Sequence, residues 1–437
     1  MDQEPGHDPH VKAGKHGSLP GSPFLVLGVL LFVYILNFAD RVLLGVMAVP
    51  IKEDLGLSDT ELGLLGGTAF ALFYATLGVP IAWLADRKSR SWIITIALAT
   101  WSGFTALCAA AVSFPQLFLA RLGVGVGEAG GVAPSYSLIA DYFPPGQRAR
   151  ALGFYSFGIP IGSAVGLAFG GLMATAFDWR TAFLTMGLLG ITIAPVFKFI
   201  VRDPVRGGLD VKKSRSPSPV KFNVRETASV LKSKPSFWLL SLGSAMSATA
   251  SYGITFWIPS FYVRSFSLSL ADVSLIYASL ILVGGLAGTW IGANLGDKFG
   301  PQRPAAYVLI PVVALLVSVP FFVGAVSTGN LYLSLSLLAV PTALGGMGYG
   351  TILTAIQHIV PPALRSTGSS IFLLINNLIG LGLGSLILGV ISDAMTQQYG
   401  SESLRYALLC GSSFYVVGAL LFFLASRKVA ADWELAR

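Results

Sequence analysis

Twelve stretches of about 20 or more predominantly apolar residues divide the chain, and they constrain it more than any other feature. They run roughly over 24–47, 61–84, 91–112, 115–141, 149–173, 180–201, 236–263, 272–295, 304–326, 331–358, 366–392 and 403–426. Each is long enough to cross the hydrocarbon core of a bilayer as a helix. Within lipid every backbone N–H and C=O must be satisfied internally, which leaves helices or closed barrels as spanning structures. Only 11% of the 437 residues are charged and 54% are hydrophobic, against about 25% charged in a soluble domain. The sequence therefore predicts an all-α polytopic membrane protein.

The basic residues set the expected orientation. Of 29 Lys and Arg, 22 fall in the two tails and the even-numbered connections, and only Lys52, Arg180, Arg264 and Arg405 fall on the opposite side. That asymmetry predicts a cytoplasmic location for both termini. The same scatter argues against nucleic acid as a partner, since no basic patch with interleaved aromatics forms, despite the net charge of +8. Cys108 and Cys410 each sit inside an apolar run and read as packing residues. His7, His10 and His16 lie in a polar tail without an apolar stretch of its own. The first span is thus expected to act as the insertion signal.

The longest connection, "RDPVRGGLDVKKSRSPSPVKFNVRE", is basic, Pro/Ser-rich and poor in apolar residues. It divides the chain into a tail (1–23), a first six-helix set (24–201), a linker (202–235), a second set (236–427) and a tail (428–437). The two sets repeat each other. "LADRKSR" after the second span, with Asp86, Arg87 and Arg90, corresponds to "LGDKFGPQR" after the eighth, with Asp297, Lys298 and Arg303. "DYFPPGQR" and "HIVPPALR" align Pro144, Pro145 and Arg148 with Pro361, Pro362 and Arg365. Two landmarks recurring in order at nearly one offset indicate a duplicated six-helix unit.

Four full charges lie inside the spans away from their ends: Asp40 and Arg41 in the first, Arg121 and Glu128 in the fourth. On insertion scales each costs about 2.5–3.5 kcal/mol at mid-membrane, so partners are required. Arg121 and Glu128 are two turns apart on one helix face, about 10 Å along the axis. Pairing across helices is easier: Asp40 with Arg121, or Arg41 with Glu128. Adjacent Asp40 and Arg41 point about 100° apart. A carboxylate in such a place is pushed towards neutrality by burial and held ionised by a nearby arginine, which suits proton coupling. The arginines do not titrate and act as fixed positive charges. A static ion-pair network joining two helices is the competing account.

The second half holds no comparable charges. Tyr252, Phe256, Tyr349, Asn376 and Asn377 are its candidate cavity residues, each of which also suits packing. Gly284, Gly288, Gly292 and Gly296, four apart, predict a close helix contact.

With twelve spans, a basic central loop and the repeated acid-base loop, the chain resembles the major facilitator superfamily over nearly its whole length. "NFADR" in the first span and "RLGVGVGEAGGVAP" in the fourth, followed by "IADYFP", resemble the spinster family within it, with Phe38 standing where that family carries Tyr. The resemblance implies a bacterial homologue in the inner membrane, with two pseudo-symmetric six-helix bundles around a cavity open alternately to each side. It implies a cytoplasmic gate at Asp86, Arg87, Arg90, Asp297 and Lys298, although Ser89 replaces the usual glycine. It also implies an amphipathic substrate such as a lysophospholipid or sphingolipid. The expected function is secondary transport driven by a proton gradient, without a cofactor or metal, by a monomer. Proton-coupled transport of small organic anions or drugs is the alternative; a channel or a membrane-embedded enzyme is more remote. "GIPIG" (158–162) faintly resembles an antiporter motif, and bending at Pro160 is its simpler account.

Overall fold

A computed structural model describes residues 21–209, 230–361 and 364–433. The N-terminal tail to residue 20, the linker core 210–229, Pro362, Ala363 and residues 434–437 lie outside the described residues.

Among the described residues, twelve helical rods occupy the twelve apolar stretches: α1 (Pro23–Val46), α2 (Asp59–Ala85), α3 (Arg90–Cys108), α4 (Phe114–Glu128 with Val132–Tyr142), α5 (Pro145–Ala176) and α6 (Trp179–Ile200). After the linker come α7 (Pro235–Phe266), α8 (Leu270–Phe299), α9 (Ala306–Ser327), α10 (Leu331–Ile359), α11 (Arg365–Ile375, Asn376–Leu381 and Gly382–Tyr399) and α12 (Ser403–Gly411 with Ser413–Ser426). Short polar residues start many of them. Ser58 and Glu61 form a reciprocal capping box on α2, and Ser89, Asp178, Ser269 and Asn330 accept a backbone N–H at the starts of α3, α6, α8 and α10. Pro23, Pro145 and Pro235 sit at the first helical turns of α1, α5 and α7, where their missing N–H is harmless.

Small residues let the rods approach. On α5, a Cβ on Gly162 would lie 2.6 Å from the Ile35 carbonyl, and one on Gly166 2.4 Å from that of Ala39, so "GIPIG" lays this helix on α1. The stripe Gly284, Gly288, Gly292 and Gly296 packs along α10, against Ala343, Met347 and Thr351. The first and second sets of six helices meet through α5 with α8, α2 with α11 and α1 with α7.

The face carrying the loops after the odd-numbered helices is called here the far face, and the other the termini face. Close contact between α2 and α11 begins at the far face, with the Asp59 carbonyl on Gly389, and runs to mid-helix, with the Ala71 Cβ on Gly382. Along this seam Ser385 donates to the Gly63 carbonyl (2.8 Å) and Thr68 to that of Gly382 (2.7 Å). Each helix has a π-helical turn here, Leu64–Thr68 in α2 and Asn376–Leu381 in α11. Such turns shift the register of the residues beyond them and concentrate at functional sites.

Candidate functional site

The glycines of "RLGVGVGE" explain how the fourth span reaches the first. A Cβ on Gly123 would strike the Phe104 ring (2.3 Å), one on Gly125 the Phe70 carbonyl (2.4 Å) and one on Gly127 the Trp101 nitrogen (2.4 Å). Without side chains there, α4 sits directly on α2 and α3. Arg121 and Glu128 are thereby carried to α1, and both are buried with Asp40.

Asp40 and Arg41 take separate partners, as their angular separation requires. Arg41 Nε donates to Glu128 Oε2 at 2.6 Å. Asp40 accepts the hydroxyl of Thr105 from α3 and faces Arg121 Nη1 at 3.6 Å, an ion pair too long for a hydrogen bond. Two acids and two bases cancel inside one bundle, which offsets part of their insertion cost. The pairing is incomplete: Arg41 Nη2, Glu128 Oε1 and Asp40 Oδ1 are buried without a hydrogen-bond partner.

The Arg41 guanidinium is enclosed by rings. Its central carbon lies 4.8 Å from the Phe38 ring, 4.9 Å from Phe70 and 4.4 Å from Tyr74, within cation–π range. Tyr252 of α7 and Tyr349 of α10 lie within electrostatic reach of it from the other half. Phe256 differs: its ring covers Gly66 and its backbone carbonyl meets Gly45, so it is packed in the interface. Asn376, in the π-turn of α11, accepts from Ser244 (2.8 Å) with Asn377 beside it (3.5 Å).

The five expected gate residues are not brought together. Arg87 folds over Trp83 of its own helix (3.8 Å to the ring). Arg90 is buried and paired with Asp141, with Asp203 at 3.7 Å and with Ser137 at 2.9 Å, all in the first half. Lys298 lies 5.4 Å from the Phe299 ring. Neither Asp86 nor Asp297 has an ion pair among the described residues. Beyond α6, Asp203 caps α3, accepting from the backbone of Arg90 (2.9 Å) and Ser91 (3.1 Å) and from the hydroxyls of Ser89 and Ser91. Burial pushes its carboxyl up, but these hydrogen bonds outweigh it and hold the group below the usual carboxylate range.

Sequence reasoning missed a second polar cluster, at the far face. Asp59, buried at the start of α2, accepts Lys52 (2.5 Å), both Nη atoms of Arg264 on α7 (2.7 Å each) and Ser392 on α11 (2.7 Å). Asp393 of α11 accepts the backbone N–H of Asp59 (3.1 Å) and Thr60 (2.7 Å). Its signal in the sequence is the small set of basic residues on that face, two of which, Lys52 and Arg264, converge on Asp59.

An all-helical bundle pair with buried balanced charges at its centre, and polar seals between its halves, defines a membrane transporter rather than an enzyme. The model of the Major Facilitator Superfamily matches residues 30–385, and the chain belongs to that superfamily. A bacterial homologue of the human lysosomal transporter spinster, solved inward-facing and unoccupied, superposes with a TM-score of 0.85 at 32% identity, covering 96% of this chain and all of that one. An MFS-type efflux pump of Mycolicibacterium smegmatis is 33% identical over 96% of both chains. Human protein spinster homolog 1 is 27% identical over 95% of this chain and 83% of its own. The chain is a multi-pass transporter related to both the spinster proteins and this efflux pump.

Proposed function

We propose that the chain is a proton-coupled secondary transporter that moves an amphipathic substrate with an anionic head, a lysophospholipid or sphingolipid, by alternating access. It acts as a monomer in a bacterial inner membrane with both termini cytoplasmic. The Arg41–Glu128 contact carries this reading. Glu128 neutralises one edge of a guanidinium that is caged by aromatic rings and has an unpartnered Nη2. A proton taken up by Glu128 ends the ion pair and leaves Arg41 to an anionic headgroup, which it receives bidentately. When Glu128 releases the proton it reclaims Arg41 and expels the head. Proton and substrate are thereby linked at one residue. Asp40 and Arg121 balance the site from a neighbouring face of α1. The tyrosines 74, 252 and 349 offer rings for an apolar body and hydroxyls for a polar neck.

The efflux-pump relative supports a second reading, export of small organic anions or drugs, with the same site chemistry. Flux into proteoliposomes separates them, comparing a lysolipid with small anions, with and without an imposed pH gradient. The first reading requires saturable lysolipid flux that follows the gradient, and Glu128→Gln protein that folds but ignores it. Unchanged gradient-driven flux in Glu128→Gln refutes coupling at this residue.

A further inference from the structure

The far-face cluster has more bases than the closed seam requires. Four bases line that face. Arg180 is paired with Asp54 (2.5 Å) and Arg405 with Glu402 (2.5 Å), each within its own half. The other two, Lys52 and Arg264, converge on one carboxylate, that of Asp59. They approach it from opposite sides of the interface: Lys52 is seven residues before Asp59 in the first half, and Arg264 ends α7 in the second. The second half also brings an acid, Asp393, whose carboxylate is spent on two backbone N–H groups of α2. Each half thus contributes one acid and one base, joined across the interface.

The geometry points to a partner-exchange latch. With the far face closed, Asp59 takes Arg264 across the interface and Asp393 caps the start of α2. When the halves part at this face, Asp59 leaves Arg264 and keeps Lys52, which travels with it. Arg264 turns to Asp393, which already lies against the same residue and travels with Arg264. Of the other far-face acids, Glu61 is engaged in its capping box, Asp178 at the start of α6 and Asp272 with Ser269, while Glu53, next to Lys52, is exposed. A bidentate Arg264–Asp59 pair alone would favour the closed face, because opening gives up both charge-assisted contacts. Exchange gives every charge a partner in both states and makes the closed and open seams close in free energy, as a bistable element requires. Lys52 and Arg264 then have opposite effects although they bind the same carboxylate: Arg264 favours the closed face and Lys52 the open one.

This inference rests on the alternating-access reading but not on the substrate or the coupling ion. Spin labels on Phe177→Cys and Gln397→Cys, exposed far-face positions of the two halves, report the opening by double electron–electron resonance. The background is Cys410→Ser, because Cys108 is fully buried. Arg264→Gln is expected to raise the long-distance population about threefold or more, and Lys52→Gln to lower it by a similar factor. Lys52→Arg should restore the wild-type distribution. A static knot predicts that both losses open the face, so shifts in the same direction overturn the exchange. If no variant shows a long-distance population, alternating access at this seam fails and the latch with it. Lys52→Met replaces Lys52→Gln if the latter does not elute as folded protein.

Discussion

At the scale of single residues, Arg41 does what lysine cannot. Its flat guanidinium lies against three rings while one edge stays on Glu128, and an ammonium offers neither the plane nor the fork. Arg41→Lys is expected to lower flux by at least about tenfold, the loss of one strong charge-assisted contact, with the folded yield unchanged. Thr105 is the neutral member of the site. Thr105→Val removes the donor to Asp40 and should destabilise the detergent-solubilised protein by about 1.5–3 kcal/mol, the range for a hydrogen bond to a charge. Thr105→Ser should melt close to the wild type. The pairs Asp40–Arg121 and Arg41–Glu128 were legible in the sequence because unpaired charges are untenable in lipid and helical angles exclude other pairings. Thr105 and Tyr74 were not, because a threonine or a tyrosine in an apolar span has many ways to be satisfied.

At the scale of elements, the α2–α11 seam depends on missing side chains. A Cβ on Gly67 would lie 2.6 Å from Ser385 Oγ and 2.8 Å from the Gly382 carbonyl. Gly67→Ala should wedge the seam and move the label-pair distribution towards long distances. Gly78→Ala on the same helix, where a Cβ meets nothing within 4 Å, should leave it unchanged. Asp203 clamps the segment after α6 to the start of α3. Asp203→Asn is expected to cost about 1 kcal/mol, as the loss of a helix cap does. The sign with pH follows from the lowered carboxyl: the stabilisation is fully present above the ordinary value of 3.8 and fades as pH falls below it. Wild type and Asp203→Asn should therefore melt apart at pH 7 and converge in acid. Apolar length and the two-fold repeat made the twelve helices readable. The π-turns and the break of α4 at residues 129–131 were not, since an extra residue in a turn leaves no mark on composition. The far-face latch escaped because its members are scattered from residue 52 to 393 and each alone resembles an ordinary helix-end charge.

At the scale of the whole molecule, the closed seam and the pairing of Arg90 within its own half describe one state: far face shut, termini face free of cross-half ion pairs among the described residues. Tyr349 of α10, 54% exposed and within electrostatic reach of Arg41, is expected to report it. A Tyr349→Cys side chain should react with an impermeant maleimide in inverted vesicles and resist it in whole cells. The reverse pattern would contradict the assigned sidedness.

The latch also dates the molecule's assembly. Asp393 lies 334 residues after Asp59. At ribosomal speeds of about 5–20 residues per second, that interval is roughly 17–70 s. During it the start of α2 waits in the membrane without Asp393, and for the first 205 of those residues without Arg264 as well. Only Lys52, made before it, is at hand throughout. The residue that steadies Asp59 when the transporter opens is thus the same one that chaperones it while the chain is being born.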